Sequence, residues 1–126
     1  MPKTVKDMLA EANAAAEKIT PARGMELIAK GALVIDVRDG TEVAASGKVK
    51  GALHVNRGLL EFKADDGTAY HDPAFSKDRP VITYCAAGGR AALAAKTLKD
   101  MGYAEVYHMG GFKDWVEAGG ETDPPA

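Results

Sequence analysis

The run Val81-Ile82-Thr83-Tyr84-Cys85 is rich in β-branched residues and stops at the only cysteine of the chain. Ala86-Ala87-Gly88-Gly89 follows, and Arg90-Ala91-Ala92-Leu93-Ala94-Ala95-Lys96 then reads as a helix. A strand, a loop of small residues and a helix in that order place a thiol at a turn. The first N–H groups of a helix lack intrahelical acceptors and, with the helix dipole, form a positive-ended cup suited to an anion. Gly88 and Gly89 let the backbone curl, and Ala86 and Ala87 add no bulk that would cover the sulfur. With Arg90 nearby, the pattern points to an uncovered, ionised and nucleophilic Cys85. A cysteine serving as apolar filler needs neither the glycine pair nor the arginine.

The rest of the chain supplies the frame. Ala32-Leu33-Val34-Ile35-Asp36-Val37-Arg38 is an apolar run that turns charged at its end, as in a parallel strand covered on both faces. Further strands are expected at residues 52–55 and 105–109. Helices are expected at 4–19, opened by Thr4 and Asp7, and at 21–30, capped by Thr20 with Pro21 in the first turn. A short helix is read at 41–45 and a turn at 47–51, and 56–80 reads as a short helix and a long surface connection. Gly102 ends the helix after the cysteine loop. Phe112, Trp115 and Val116 are expected to seal the core from a closing helix.

This alternation implies one α/β domain, a central parallel β-sheet flanked by helices, over residues 20–120. An extra N-terminal amphipathic helix at 1–19 precedes it, and a loose tail at 121–126 follows.

Ligands collect beyond the carboxyl ends of parallel strands, so Asp36, Arg38 and Cys85 share one edge. Asp36 and Arg38 read as a structural pair, because thiolate chemistry needs no carboxylate base. His54, inside an apolar strand, reads as a hydrogen-bonded structural histidine. His108 adjoins a strand end with no evident catalytic partner, and Arg57 is the candidate for an anion-attracting residue at the mouth of the site.

Sixteen basic and eighteen acidic residues give a net charge of −2, which offers no electrostatic case for nucleic acid or an anionic membrane. One cysteine makes no internal disulfide, and no Cys/His spacing suits a metal, so neither metal nor cofactor is expected. The chain shows no secretory signal and no membrane-spanning run, and a soluble, cytoplasmic protein is expected. Its partner is a small molecule or another protein; oligomeric state is left open.

Four separated pieces, Asp36-Val37-Arg38, Gly51-Ala52-Leu53-His54-Val55, Cys85-Ala86-Ala87-Gly88-Gly89-Arg90, and Gly110-Gly111-Phe112 with Trp115, together resemble the rhodanese family in its single-domain form. The resemblance implies sulfurtransferase chemistry, in which the loop cysteine takes a sulfane sulfur from a donor such as thiosulfate and passes it, as a persulfide, to cyanide or a thiol. Cys85 matches that cysteine. The amides of Ala86, Ala87, Gly88, Gly89, Arg90 and Ala91 match the persulfide cradle, and Arg90 matches a donor-binding residue. Related loops often carry Ser where Ala91 stands.

Three other readings compete. A cysteine phosphatase or arsenate reductase would enclose a tetrahedral oxyanion, but its loop has one residue more than the four between Cys85 and Arg90, and this loop lacks an acid. A sulfur carrier would use a protein thiol as acceptor. A non-catalytic interaction module would share only the fold.

Overall fold

The computed structural model describes residues 2–125. Its centre is a five-stranded parallel sheet built from β1 (Glu17–Lys18), β2 (Leu33–Asp36), β4 (Leu53–His54), β5 (Val81–Cys85) and β6 (Val106–Gly111), in the order β1-β6-β5-β2-β4. Helices α1 (Val5–Ala15), α2 (Pro21–Ala29), α3 (Gly40–Ser46), α4 (Leu60–Ala64), α5 (Gly89–Asp100) and α6 (Phe112–Glu117) surround it. The central strands β2 and β5 are buried along their whole length, which is why they read as unbroken apolar runs.

Strand alternation sorts the core into two layers. Val81 and Cys85 join Leu33, Ile35 and Val37 with Ala91, Ala94, Ala95 and Leu98 of α5. Ile82 and Tyr84 turn to the other face, beside Leu27, Val34, Met109 and Trp115. Cys85 and its neighbour Tyr84 therefore serve different sides of one sheet.

The N-terminal extension is shorter as a helix than its pattern suggests. Thr4 caps α1 as expected, but the helix stops at Ala15, Ala16 turns extended (φ −134°), and Glu17 and Lys18 pair with Tyr107 and His108. The open edge of β6 offers backbone partners that another helical turn would leave unmet.

The tail departs from expectation as well. Thr122–Asp123 forms β7, antiparallel to β3 (Lys48–Val49), within the segment read as a plain turn. Lys48 Nζ lies 2.7 Å from Asp123 Oδ2, Gly51 N donates to the same oxygen at 3.0 Å, and Trp115 Nε1 donates to the Glu121 carbonyl at 2.8 Å. Residues 121–123 are thus tied down rather than loose. The terminal residues Met1 and Ala126 of the two expected end segments lie outside the described residues.

Trp115 is buried, but Val116 is 48% exposed and does not seal the core. Successive helical residues are separated by about 100°, so the six-residue α6 cannot turn both inward. Phe112 stacks instead on Tyr84, with ring centroids 6.1 Å apart, and the Arg38 guanidinium lies 4.6 Å from the Phe112 centroid.

Asp36, fully buried at the end of β2, holds Arg38 through Nε (3.0 Å to Oδ1) and Nη2 (2.7 Å to Oδ2). Arg38 also reaches Ser46 Oγ and the Gly47 carbonyl, while His54 Nε2 meets the Arg38 carbonyl at 2.7 Å. The Tyr84 hydroxyl donates to Asp36 Oδ2 at 2.5 Å and accepts from Val49 N at 2.9 Å. Burial, then the neighbouring Asp36, pushes the Tyr84 phenol well above its ordinary range, so it remains a neutral donor.

Tyr84→Phe deprives both Asp36 and the Val49 amide of a buried partner. A loss of about 1–3 kcal/mol is expected, read as a lower urea midpoint with an unchanged slope; wild-type stability in this variant would show that the hydroxyl holds nothing.

Candidate active site

Cys85 is the last residue of β5, at the carboxyl edge of the sheet, and the chain leaves it through residues 86–88 into α5. Its Sγ accepts Gly88 N at 3.0 Å and Ala91 N at 3.3 Å, so the loop curls until two amides point at one sulfur. Gly88 makes this possible with a φ of +109°, a conformation that L side chains avoid. Thr83 Oγ1, donating to the Ala91 carbonyl at 2.8 Å, ties the first turn of α5 to β5. Gly111 lies in register with Cys85, and a Cβ there would collide with the Ala86 carbonyl oxygen. The loop is thereby pressed against the end of β6.

Among the described residues, the amides of Ala86, Ala87, Gly89 and Arg90 donate to no protein acceptor. They stand at the start of a twelve-residue helix whose dipole adds to their field. The loop thus offers donors in excess of those the sulfur uses.

The sulfur is not uncovered. Cys85 is 1% exposed, although Ala86, Ala87 and Gly89 around it face solvent. Small loop side chains do not expose the thiol, because Sγ is drawn beneath the backbone toward Gly88 N and Ala91 N and packs with the α5 layer.

Arg90 is paired. Its Nη1 and Nη2 reach the two carboxylate oxygens of Glu42 at 2.7 and 3.0 Å, and Glu42 Oε1 also accepts Asp39 N at 3.0 Å. The bonds from Arg90, then that from Asp39, hold the Glu42 carboxyl down at about 2. Sequence reading missed Glu42. The available signal was the Asp39-Gly40-Thr41-Glu42 spacing directly after a strand, which marks a helix start and places the carboxylate at its first turn.

The other candidates are dispersed. Arg57 bonds Glu61 Oε1 and Thr97 Oγ1, both at 3.0 Å, and so is held against the later turns of α5 rather than at the loop. Its i,i+4 carboxylate and a partner on a packed helix outcompete the mouth of the site. Asp36 and Arg38 bond each other and backbone, and His54 bonds backbone, so none turns a free group toward Cys85. Among the described residues no group of His, Cys, Asp and Glu is arranged to hold a metal ion, and no helix is long and apolar enough to cross a membrane.

The model of the rhodanese-like domain matches residues 20–118. Thiosulfate sulfurtransferase GlpE of Haemophilus influenzae is 33% identical over 104 residues, 81% of this chain and 90% of that protein. A Rhodopseudomonas palustris protein described as of unknown function and as a possible tyrosine phosphatase superposes with a TM-score of 0.87 at 41% identity, covering 98% of this chain and 99% of that one. The polysulfide-sulfur transferase of Wolinella succinogenes, described as a homodimer, gives a TM-score of 0.75 at 32% identity, over 94% and 85% of the two chains. With the family model spanning the sheet, the cysteine loop and α6, and with these relatives matching most of its length, the chain belongs to the rhodanese-like family.

Proposed function

We propose that this chain is a sulfurtransferase that carries a sulfane sulfur on Cys85, taking it from thiosulfate or a similar donor and releasing it to cyanide or a thiol, a protein thiol included. The observation that carries the reading is the pair of amides aimed at Sγ from the start of α5, with four further N–H groups in the same loop lacking acceptors. A thiolate and a persulfide are both anions that accept hydrogen bonds and have no donor of their own, and converging amides stabilise such charge without a proton relay.

The chemistry balances in two displacements. The Cys85 thiolate attacks the outer sulfur of thiosulfate, the S–S bond breaks, and sulfite leaves with the electron pair. Cyanide or a thiolate then attacks the outer sulfur of the persulfide, and the Cys85 thiolate departs. Because Cys85 is 1% exposed, its side chain rotates out from beneath the loop to meet the donor. The amides of Ala86, Ala87, Gly89 and Arg90 then hold the terminal sulfur of the persulfide, and the Arg90 guanidinium faces the sulfonate of the donor. Glu42 keeps that guanidinium oriented. Ala91 contributes its amide alone, with no hydroxyl to add a donor.

The relative described as a possible tyrosine phosphatase keeps phosphoryl transfer as the second reading. It is weakened here by the four-residue spacing between Cys85 and Arg90 and by the lack of an acidic side chain in that loop.

Exposure to thiosulfate followed by intact-mass measurement is expected to add one sulfur atom to the parent and none to Cys85→Ser, with cyanide removing it. Hydrolysis of a phosphomonoester without sulfur uptake would overturn the assignment. Arg90→Gln is expected to raise KM for thiosulfate about tenfold with kcat little changed, the signature of lost ground-state binding; an unaltered KM would remove Arg90 from the donor site. Glu42 titrates lower in the folded chain, about 2 against an ordinary 4.5, so its stabilising effect is complete above pH 4.5 and disappears as pH falls through 2. Glu42→Gln is accordingly expected to lower neutral-pH stability by on the order of 1 kcal/mol or less, the pair being part-solvated. In thermal melts that deficit should vanish toward pH 2, and a deficit independent of pH would refute the ionic origin.

A further inference from the structure

His108 is the anomaly of the parallel sheet. It lies on β6 beside Thr83, faces the α5 side, and is 2% exposed, yet among the described residues neither ring nitrogen has a hydrogen-bond partner. The Ala16 backbone lies near enough to favour the charged ring but misses hydrogen-bond geometry. Burial, then Lys18, holds its pKa below the ordinary histidine value. An unpartnered buried imidazole costs free energy that an apolar residue at the same place would avoid.

The ring borders a cavity of about 190 Å³ on the α1 side of the cysteine loop. Asn13 of α1, Lys18 of β1 and the backbone of Gly88 and Gly89 form its other polar walls, with Leu9 above. No acidic side chain lines it, and among the described residues Lys18 forms no ion pair. Asn13 spends one amide proton on the Leu9 carbonyl and retains another. The Gly89 amide donates to no protein acceptor. A cation, an amide, an imidazole and a helix-start N–H around one small space make a set of donors with no negative group to answer them.

We propose that this cavity binds a small sulfur oxyanion of the size of sulfite, at a site that borders the persulfide cradle at the Gly89 amide but does not include Arg90, which receives the donor. Lys18 supplies the charge, His108 the buried donor, and the Gly88–Gly89 backbone the link to the loop that holds Cys85. The identity of the oxyanion rests on the sulfur-transfer reading, in which sulfite is the anion released; the existence of the site does not. An anion seated there braces the outer wall of the loop whose inner wall, through Gly88 N, contacts Sγ.

The test is a titration of the folded chain with sodium sulfite at constant ionic strength, following the histidine ring resonances by NMR, with sodium sulfate and sodium chloride as comparison salts. A saturable shift of His108 is expected, with His54 and His71 unmoved, and the same shift in Cys85→Ser, since the cysteine contributes no group to the cavity. Lys18→Gln, a change on an exposed strand that leaves the buried core untouched, should weaken binding at least tenfold. Leu9→Phe, which narrows the cavity without altering charge, should weaken it too. Three results would overturn the site: a non-saturating response equal to that of chloride, undiminished binding in Lys18→Gln, or a shift that disappears in Cys85→Ser and so belongs to the donor site. Failure of sulfur uptake in the mass experiment, with saturable sulfite binding retained in both backgrounds, would instead strike the sulfur-transfer reading and leave the anion site standing.

Discussion

A fully buried carboxylate organises the functional edge of this domain. Asp36 ends β2 with its side chain fully buried, and among the described residues its carboxylate is held by Arg38 and the Tyr84 hydroxyl. A buried ion pair adds little over a well-packed apolar substitute, but removal of one member leaves a charge that nothing answers. The arrangement is therefore most important as a constraint on geometry. Through Arg38 it fixes the end of α3 at Ser46 and Gly47, through Tyr84 it fixes β3 at Val49, and through Phe112 it fixes the start of α6. Tyr84 is bonded to Cys85 in the chain, so the peptide that presents the sulfur is anchored from the opposite face of the sheet.

That division of labour follows from strand periodicity. Alternate residues of β5 point to opposite faces, so the tyrosine and the cysteine at its end cannot compete for the same space. One face carries the rigid ionic anchor and the other the loop whose amides gather on sulfur. The loop itself needs only small residues: a left-handed Gly88, a Gly111 that clears the Ala86 carbonyl, and an Ala91 that brings its amide close to Sγ. Charge at the rim is balanced by Glu42, which offsets Arg90 while leaving two-fifths of neither side chain in water.

Much of this was readable from residue order. The apolar runs that became β2 and β5 are long enough and sufficiently buried that periodicity and burial agree, and the strand-loop-helix placed the cysteine where an amide ring forms. The two misread end segments share one cause. Glu17–Lys18 and Thr122–Asp123 are two-residue strands made of polar residues, whose conformation is imposed by partners far along the chain rather than by local pattern. Arg57 and Glu42 show the same limit for side chains. Glu42 meets Arg90, and Arg57 meets Thr97, through packing against α5 that no spacing along the chain displays, although the i,i+4 spacing of Arg57 and Glu61 was there to be read. The depth of Cys85 was equally unreadable, because it depends on which way one sulfur turns beneath its own loop.

The N-terminal segment shows how an added element changes what an edge can do. Without β1, β6 would present unpaired backbone groups to solvent, a liability that sheets of this kind cover or charge. Two residues are enough to close that edge, and Ala12 and Ala16, both buried, let α1 approach α5 closely. Closing the edge does more than protect it. Lys18 comes into register with His108, α1 brings Asn13 over the same gap, and a histidine that would otherwise border open solvent becomes the floor of a cavity against the cysteine loop. Asn13 and Lys18 are polar at exposed positions, whereas the buried, unpaired imidazole of His108 sets this corner apart from the alanine-lined packing beside it.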